Sequence, residues 1–348
     1  MKVAFFTYPS AFQNVGGGEI QLLKTKEYLE KAGATVDFFD TWRHKVESYE
    51  LLHIFGSVKD CLGLAQTAKS RDVAVAVSPV FWSDFQRAFF TEGSLPEKAT
   101  LALRHLTKLV WPSFPSSRRK LLEAADVVLP NSEMERRQLS RLFALPLEKI
   151  KVVYNAVDGS FALAKPDLFI SRHGAAPFIL SIGRIEPRKN QLNLIRADKG
   201  IPGKRLVLIG SSVSGYEAYD AQCRQEGKDF TVFLPTLPHE DPFLASAYAA
   251  CEIFVLPGWF ETPGLAALEA ALAGSRLVVT RGGSTEEYFN KHVEYVNPAD
   301  VGDIRTKITE ALKRPRSETV KRFVQENFTW QRTAEETLKA YQSILSSR

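Results

Sequence analysis

The residues in this sequence best suited to chemistry are two carboxylates flanking a turn and two cations that follow a strand. In Gly258-Trp-Phe-Glu261-Thr-Pro263-Gly264-Leu265-Ala-Ala-Leu-Glu269-Ala-Ala-Leu-Ala-Gly274, a short apolar run from Cys251 to Leu256 is stopped by Pro257 and Gly258. Pro263 suits a first helical turn, and Leu265 to Ala273 is strongly helical. Glu261 then precedes the helix and Glu269 rides on it. Backbone N–H groups around Gly264 and Leu265 face whatever lies beyond the strand's carboxyl end, and the helix dipole favours an anion there. A diphosphate bracketed by carboxylates that accept hydroxyl protons describes a nucleotide sugar. Arg184 and Lys189 follow a strand ending at Ile182-Gly183. Arg brings a forked donor and Lys a compact charge, a combination suited to neutralising a departing diphosphate without a metal.

The elements that position these groups alternate in the α/β manner. Strand Lys2 to Thr7, the glycine-rich loop Asn14-Val-Gly16-Gly17-Gly18, helix Glu19 to Lys31 and strand Thr35 to Phe39 read as a βαβ unit. Further strand-like runs at Leu51 to Phe55, Val73 to Val77, Val127 to Leu129 and Lys151 to Tyr154 are expected to join the same parallel sheet. A second series opens at Phe178 to Ile182 and continues with Leu206 to Ile209, Thr231 to Leu234, Ile253 to Leu256 and Leu277 to Thr280. Helical stretches such as Pro242 to Ala250 lie between them. Two doubly wound domains facing a cleft are therefore expected, at 1–160 and 161–330, with ligands at the carboxyl ends of the strands. A closing helix follows Phe328-Thr-Trp330 and forms a third segment, 331–348.

The length of 348 residues suits two such domains, and 45% hydrophobic with 24% charged residues leaves no long disordered tract. The opening run is too short for a signal peptide and nothing approaches a bilayer-spanning stretch, so a cytoplasmic location is expected. Cys61, Cys223 and Cys251 are widely spaced and have no metal-type pattern, which favours free thiols. The six histidines form no ligand cluster, and no Asp-x-Asp motif for a divalent ion is present. Net charge is +5, unevenly spread: Lys98 to Lys120 carries six Lys and Arg residues and no acid, interleaved with leucines, Trp111 and Phe114. Such a segment suits peripheral contact with an anionic membrane face, although a solvated amphipathic helix is the plainer reading and the preferred one. No nucleic-acid partner is expected.

The order and spacing of several motifs resemble the retaining glycosyltransferases of family four, which have the GT-B fold. Besides the Glu261-x7-Glu269 segment, the resemblance rests on Gly16-Gly17-Gly18-Glu19, Ala125-Asp126-Val-Val-Leu-Pro-Asn131-Ser132-Glu133 and Val152-Val-Tyr-Asn155-Ala-Val-Asp158. Ser181-Ile-Gly183-Arg184-Ile-Glu-Pro187-Arg-Lys189-Asn190 and Gly282-Gly283-Ser-Thr-Glu286-Glu287-Tyr288 complete it. It covers nearly the whole chain. The resemblance implies catalytic or diphosphate-holding roles for Arg184 and Lys189, Glu269 on the ribose hydroxyls, and Glu261 near the transferred sugar. It implies backbone contacts from Gly183, Pro263, Gly264 and Leu265, and places Gly17 and Gly18 against the donor phosphate or the acceptor. Glu19 more plausibly caps its own helix. The C-terminal helix is expected to cross back onto the first domain.

What the resemblance implies overall is a metal-independent hexosyltransferase with no cofactor, using a nucleoside diphosphate sugar and a glycan or lipid-linked acceptor in polysaccharide or lipid-linked glycan synthesis. One departure stands out. Relatives often carry a histidine after the strand matching Val73 to Val77, where this chain reads Ser78-Pro79-Val80-Phe81-Trp82-Ser83-Asp84. Trp82, Ser83 or Asp84 is expected to shape the acceptor pocket instead, and His53 either reaches the cleft or packs inside. The alternatives are a catalytically weak nucleotide-sugar-binding subunit and a GT-B sugar-nucleotide epimerase. A dinucleotide oxidoreductase is disfavoured because the glycine loop lacks Gly-x-Gly-x-x-Gly spacing.

Overall fold

The protein is seen here as a computed structural model in which residues 1–13, 15–83, 95–199, 201–316 and 318–348 are described. The described residues form two compact units. One joins those of 1–155 to Trp330–Arg348, and the other comprises Ala156–Thr329.

Five parallel strands build the first unit's sheet: β1 (Lys2–Thr7), β2 (Thr35–Phe38), β3 (Leu51–Phe55), β4 (Ala74–Ser78) and β5 (Val127–Val128), in the order β2-β1-β3-β4-β5. β3 and β4 are buried on both faces, as expected of central parallel strands covered by helices on either side. One face carries Leu52, Ile54, Val75 and Val77 into a core shared with Ala65, Ala68, Leu121 and Leu122 of the helices Leu62–Ser70 and Ser117–Ala124. The opposite face packs Val3, Phe5 and Leu51 with Leu22 and Leu29 of the helix Gly17–Lys31 and with Ala334, Ala340 and Tyr341 of the final helix, Trp330–Leu345. That final helix is fastened to the unit by Thr333, whose hydroxyl donates to the Tyr154 carbonyl at 2.8 Å.

Lys151 to Tyr154, expected as a sixth strand, is a correction: it is extended but not a strand. Its neighbour Ile150 forms an isolated bridge with Val128, and Val153 N–H donates to the Pro130 carbonyl at 2.9 Å. Pro130 has no N–H to return that bond, so the ladder cannot propagate.

The second unit's sheet has six parallel strands: β6 (Phe178–Ile182), β7 (Arg205–Ile209), β8 (Thr231–Leu234), β9 (Ile253–Leu256), β10 (Arg276–Thr280) and β11 (Glu294–Val296). Their order is β11-β10-β9-β6-β7-β8. The chain moves outward from β6 through β8 and then returns to start β9 on the other side of β6. This reversal opens a crevice beyond the carboxyl ends of β6 and β9, where open α/β sheets hold ligands. Ile179, Leu206, Val255 and Val278 form the core beneath one face with the helices Gln191–Asp198 and Val301–Lys313.

Candidate functional site

Both segments singled out for chemistry emerge at that reversal point. Beyond β6 the chain passes through Gly183 and Arg184 into a short turn, Pro187–Lys189, and then the helix Gln191–Asp198. Asn190 joins turn to helix and ties this segment to the next strand, because its side-chain amide donates to the Pro257 carbonyl at 3.0 Å and to the Pro298 carbonyl at 2.8 Å. Beyond β9, Trp259 N–H donates to the Arg188 carbonyl at 2.9 Å. The two strand ends are thus stitched together by backbone and amide bonds before any charged side chain takes part.

Glu261 is fixed by its own main chain. Its N–H donates to the Gly282 carbonyl at 3.1 Å, and its carbonyl accepts from Ser284 N–H at 2.9 Å. Gly283 adopts φ +97, and a Cβ there would stand 2.0 Å from the Glu261 carbonyl oxygen, so only glycine admits this approach. The carboxylate is 3% exposed and accepts from Lys189 Nζ at 2.7 Å, with Arg188 Nη1 at 3.8 Å. Arg188 itself forks onto Glu186 through Nε at 3.1 Å and Nη2 at 2.8 Å, and Arg184 Nη2 approaches the same carboxylate at 3.5 Å. Three cations therefore face two carboxylates, leaving one net positive charge. Burial pushes the Glu186 carboxyl up, but Arg188, Arg184 and Lys189 outweigh it and hold the group below its ordinary value. For Lys189, burial prevails over the pull of Glu261 and lowers the ammonium's pKa. Arg184, with its side chain 38% exposed, is the most accessible of the three cations.

Gly264 (φ +86) turns the chain into the helix Leu265–Leu272 and its carbonyl accepts from the N–H groups of Ala267 and Leu268 at 2.9 and 3.3 Å, so the helix start presents the N–H groups of Leu265 and Ala266, which have no intrahelical acceptor by geometry. A Cβ at Gly264 would press on Leu256 at 3.0 Å, so its absence lets the helix start directly over the end of β9. Pro263 lies ahead of the helix, not in its first turn as expected. It follows a cis bond from Thr262, and the helix begins at Leu265.

Glu269, one turn into the helix, belongs to a separate cluster from Glu261. Tyr248 OH donates to Oε2 at 2.7 Å, and His239 Nε2 lies 2.9 Å from Oε1. Phe161 sets its ring edge-on to both His239 and Tyr248, at 5.7 and 5.8 Å between centroids. Burial, and then the adjacent carboxylate, raise the Tyr248 phenol well above its ordinary value, so it stays a donor. Each carboxylate oxygen has one pinned lone pair and keeps a second direction for a hydroxyl.

The remaining predicted residues lie in the first unit. Gly17 and Gly18 are not a loop ahead of the helix but its first two residues. Gly16 caps it, with Ile20 N–H on its carbonyl at 3.1 Å and its own N–H on the Glu19 carboxylate at 2.8 Å. Glu19 thus holds the helix start. His53 as a pocket residue is corrected: it is fully buried in β3, with Nδ1 2.5 Å from Tyr341 OH and Nε2 2.9 Å from Ser78 Oγ. Burial lowers its pKa to about 3, so it is a neutral structural link to the final helix. Ser83 bonds His105 through its hydroxyl at 2.9 Å, and its N–H donates to Gln138 at 3.0 Å. Trp82 beside it is partly buried, and Asp84 lies outside the described residues.

Sequence reasoning missed Glu186, Arg188, His239 and Tyr248. Arg188 adjoins Lys189 and was within reach of it. His239 and Tyr248 stand 30 and 21 residues from Glu269, with no local signal to join them. Among the described residues no group of three or more His, Cys, Asp or Glu side chains is gathered as a metal site.

Residues 169–330 match the family model of glycosyl transferases group 1. The D-inositol 3-phosphate glycosyltransferase of Mycolicibacterium smegmatis is 27% identical over 241 residues, 66% of this chain and 55% of that protein. The O-antigen chain mannosyltransferase B of Escherichia coli is 27% identical over 239 residues, 64% of this chain and 62% of that one. These matches span a little over half the length of either relative. Among solved structures, the sucrose-phosphate synthase of Thermosynechococcus elongatus superposes with a TM-score of 0.78 at 20% identity, covering 100% of both chains. Anabaena HepE in complex with UDP gives 0.73 at 16%, covering 99% of this chain and 100% of that one.

Proposed function

We propose that this chain, whose residues 169–330 match the family model of glycosyl transferases group 1 and which has the GT-B fold, moves a sugar from a nucleoside diphosphate sugar to an acceptor hydroxyl. The observation that carries the reading is the cation cluster of Arg184, Arg188 and Lys189 beside the start of the helix Leu265–Leu272, with Glu269 buried further along that helix. Cations and first-turn amides suit a diphosphate, and a pinned carboxylate suits vicinal hydroxyls.

In this reading Arg184, Lys189 and the N–H groups near Gly264 and Leu265 hold the diphosphate, Gly183 leaves room for it, and Glu269 takes the ribose. Glu261 faces the transferred sugar and tethers Lys189. The reaction proceeds with retention. The bond between the anomeric carbon and the phosphate oxygen breaks, the acceptor oxygen bonds to the same face, and its proton passes to the departing phosphate oxygen. The cations stabilise the charge that grows there, so no metal or cofactor is required. Gly17 and Gly18 present amides to the donor phosphate or the acceptor, and Trp82 and Ser83 border the acceptor. The acceptor in this reading is a glycan or lipid-linked sugar; of the relatives reported, the O-antigen chain mannosyltransferase has a name in keeping with a glycan, while the D-inositol 3-phosphate glycosyltransferase has one that points to a small phosphorylated acceptor.

Calorimetric titration with uridine, guanosine and adenosine diphosphates and their sugars, with chelator present, tests the reading. Tight binding of one nucleotide without metal, followed by release of that nucleotide when an acceptor is supplied, supports it. Failure to bind any of them refutes it.

A further inference from the structure

The helix Leu95–Val110 has no buried residue along its 16 positions. At 1.5 Å per residue it runs about 24 Å across the first unit. Its inner side meets the helix Glu133–Phe143: Lys108 Nζ sits over the rings of Phe81 and Phe143 at 5.5 and 5.6 Å, and His105 Nδ1 meets Ser83 Oγ at 2.9 Å. Leu109 on that side packs against the first unit's core, but a further apolar stripe lies away from it. Leu95, Ala99, Leu103, Leu106 and Val110 recur at steps of four, four, three and four, which places them on one helical face, and all five are exposed. Leu95 is 83% exposed, Leu103 64% and Val110 85%. Trp111 and Phe114, packed edge-on at 5.4 Å, prolong the stripe with two more exposed aromatic side chains. A soluble helix normally turns such a stripe inward, and an apolar patch of this extent marks an interaction surface.

We propose that this stripe is a docking face for an anionic phospholipid bilayer. Charge decides the occupant. Apart from Glu97 at the helix start, the segment carries only cations: Lys98, half-exposed at one edge of the stripe, Arg104, exposed further round the helix, and Lys120, exposed beyond it. Two copies of this chain pairing through the stripe would bring those like charges together without compensation, whereas an anionic headgroup layer neutralises them while its acyl boundary accepts the leucines. Among the described residues no helix is long and apolar enough to cross a membrane, so the attachment is in the plane of the surface. The inference concerns the first unit's surface and does not depend on the proposed transferase reaction.

The test is flotation of the full chain with vesicles of phosphatidylcholine alone or with phosphatidylglycerol added, at low and physiological salt. Recovery is expected only with the anionic lipid, weakening as salt rises. Lys98→Ser with Arg104→Ser is expected to reduce partitioning about five-fold for each cation removed. Leu103→Asp with Val110→Asp is expected to abolish recovery. Leu103, Arg104 and Val110 are exposed and Lys98 is half-exposed, none of them in the core, so unchanged melting temperatures and nucleotide titrations will show that the variants are folded. Tryptophan emission should shift to the blue on vesicles, and Trp111→Phe should remove most of the shift. Equal recovery on both vesicle types, no recovery on either, or recovery unaffected by the two aspartates overturns the proposal. So does a dimer in sedimentation that the aspartates dissolve, which would assign the stripe to a second copy.

Discussion

Glu269→Gln offers the sharpest test of the nucleotide site, because the structure permits the change without breaking the cluster that holds it. The carboxylate accepts from Tyr248 at 2.7 Å and lies 2.9 Å from His239 Nε2. A glutamine of the same shape keeps the first bond through its carbonyl oxygen. Its amide can donate to His239 once that ring takes the other tautomer, so no buried group is orphaned. What is lost is the charge. A hydrogen bond to a charged acceptor contributes about 1 kcal/mol more than one to a neutral acceptor, so two ribose hydroxyls on this carboxylate predict a loss of about 2 kcal/mol. That corresponds to roughly thirty-fold weaker binding of the nucleoside diphosphate. With a 2′-deoxynucleotide only one such bond remains, and the same substitution should then cost about 1 kcal/mol, or five-fold. Calorimetric titration of both nucleotides against wild type and variant, with a melting curve to confirm the fold, gives all four affinities. If the substitution weakens the ribo- and deoxynucleotide by the same factor, or weakens neither, Glu269 does not hold the ribose and the assignment fails.

Arg184→Ala should lower kcat/KM about a hundredfold, the loss of a charge-assisted phosphate contact of some 2–3 kcal/mol, while a half-exposed side chain held by a single 3.5 Å approach adds little to the melting temperature. Near-normal turnover in steady-state assays would remove it from the site. Glu261→Gln loosens the ion pair with Lys189 without opening a cavity. Nucleotide affinity should therefore hold within about three-fold while kcat falls ten-fold or more, and a change confined to KM would contradict a role near the reacting sugar. Asp198 closes the helix Gln191–Asp198, where a negative charge opposes the helix dipole. It is buried, and burial lifts its carboxyl from 3.8 to about 7. Between those values the unfolded chain has released the proton that the folded chain still holds, so stability falls as pH rises from about 4 to 7 and the full penalty applies above 7. Asp198→Asn should then stabilise the protein at pH 8 by on the order of 2–4 kcal/mol and not at pH 4. Denaturant melts at both pH values check the sign, and equal effects at each would refute it.

How much of this was legible in the sequence follows from the range of the interactions involved. The turn from β9 into the helix Leu265–Leu272 is local: an apolar run, a Pro-Gly stop and an alanine- and leucine-rich helix declare themselves within twenty residues, and the alternation of such units gives the two parallel sheets. Glu261 and Lys189 were both identifiable as candidates, but their contact joins residues 72 apart, and only the neighbouring of β6 and β9 brings it about. His53 was readable in principle. It sits in Leu51-Leu-His-Ile-Phe55, a run apolar on either side of it, of the kind that parallel strands buried on both faces display, so a side chain in its middle belongs inside the sheet whichever way it points. The helix Leu95–Val110 shows the opposite limit. Its periodicity revealed an apolar face and an excess of cations, but periodicity fixes only the angle between the two faces and not which of them meets the protein. The solvated helix was the plainer expectation because amphipathic helices usually bury their apolar side. Here the inward positions are shared by Leu109, which packs against the core, and by His105 and Lys108, through a hydroxyl and two aromatic rings, so the wide apolar face is split and Leu95, Leu103, Leu106 and Val110 stay outside.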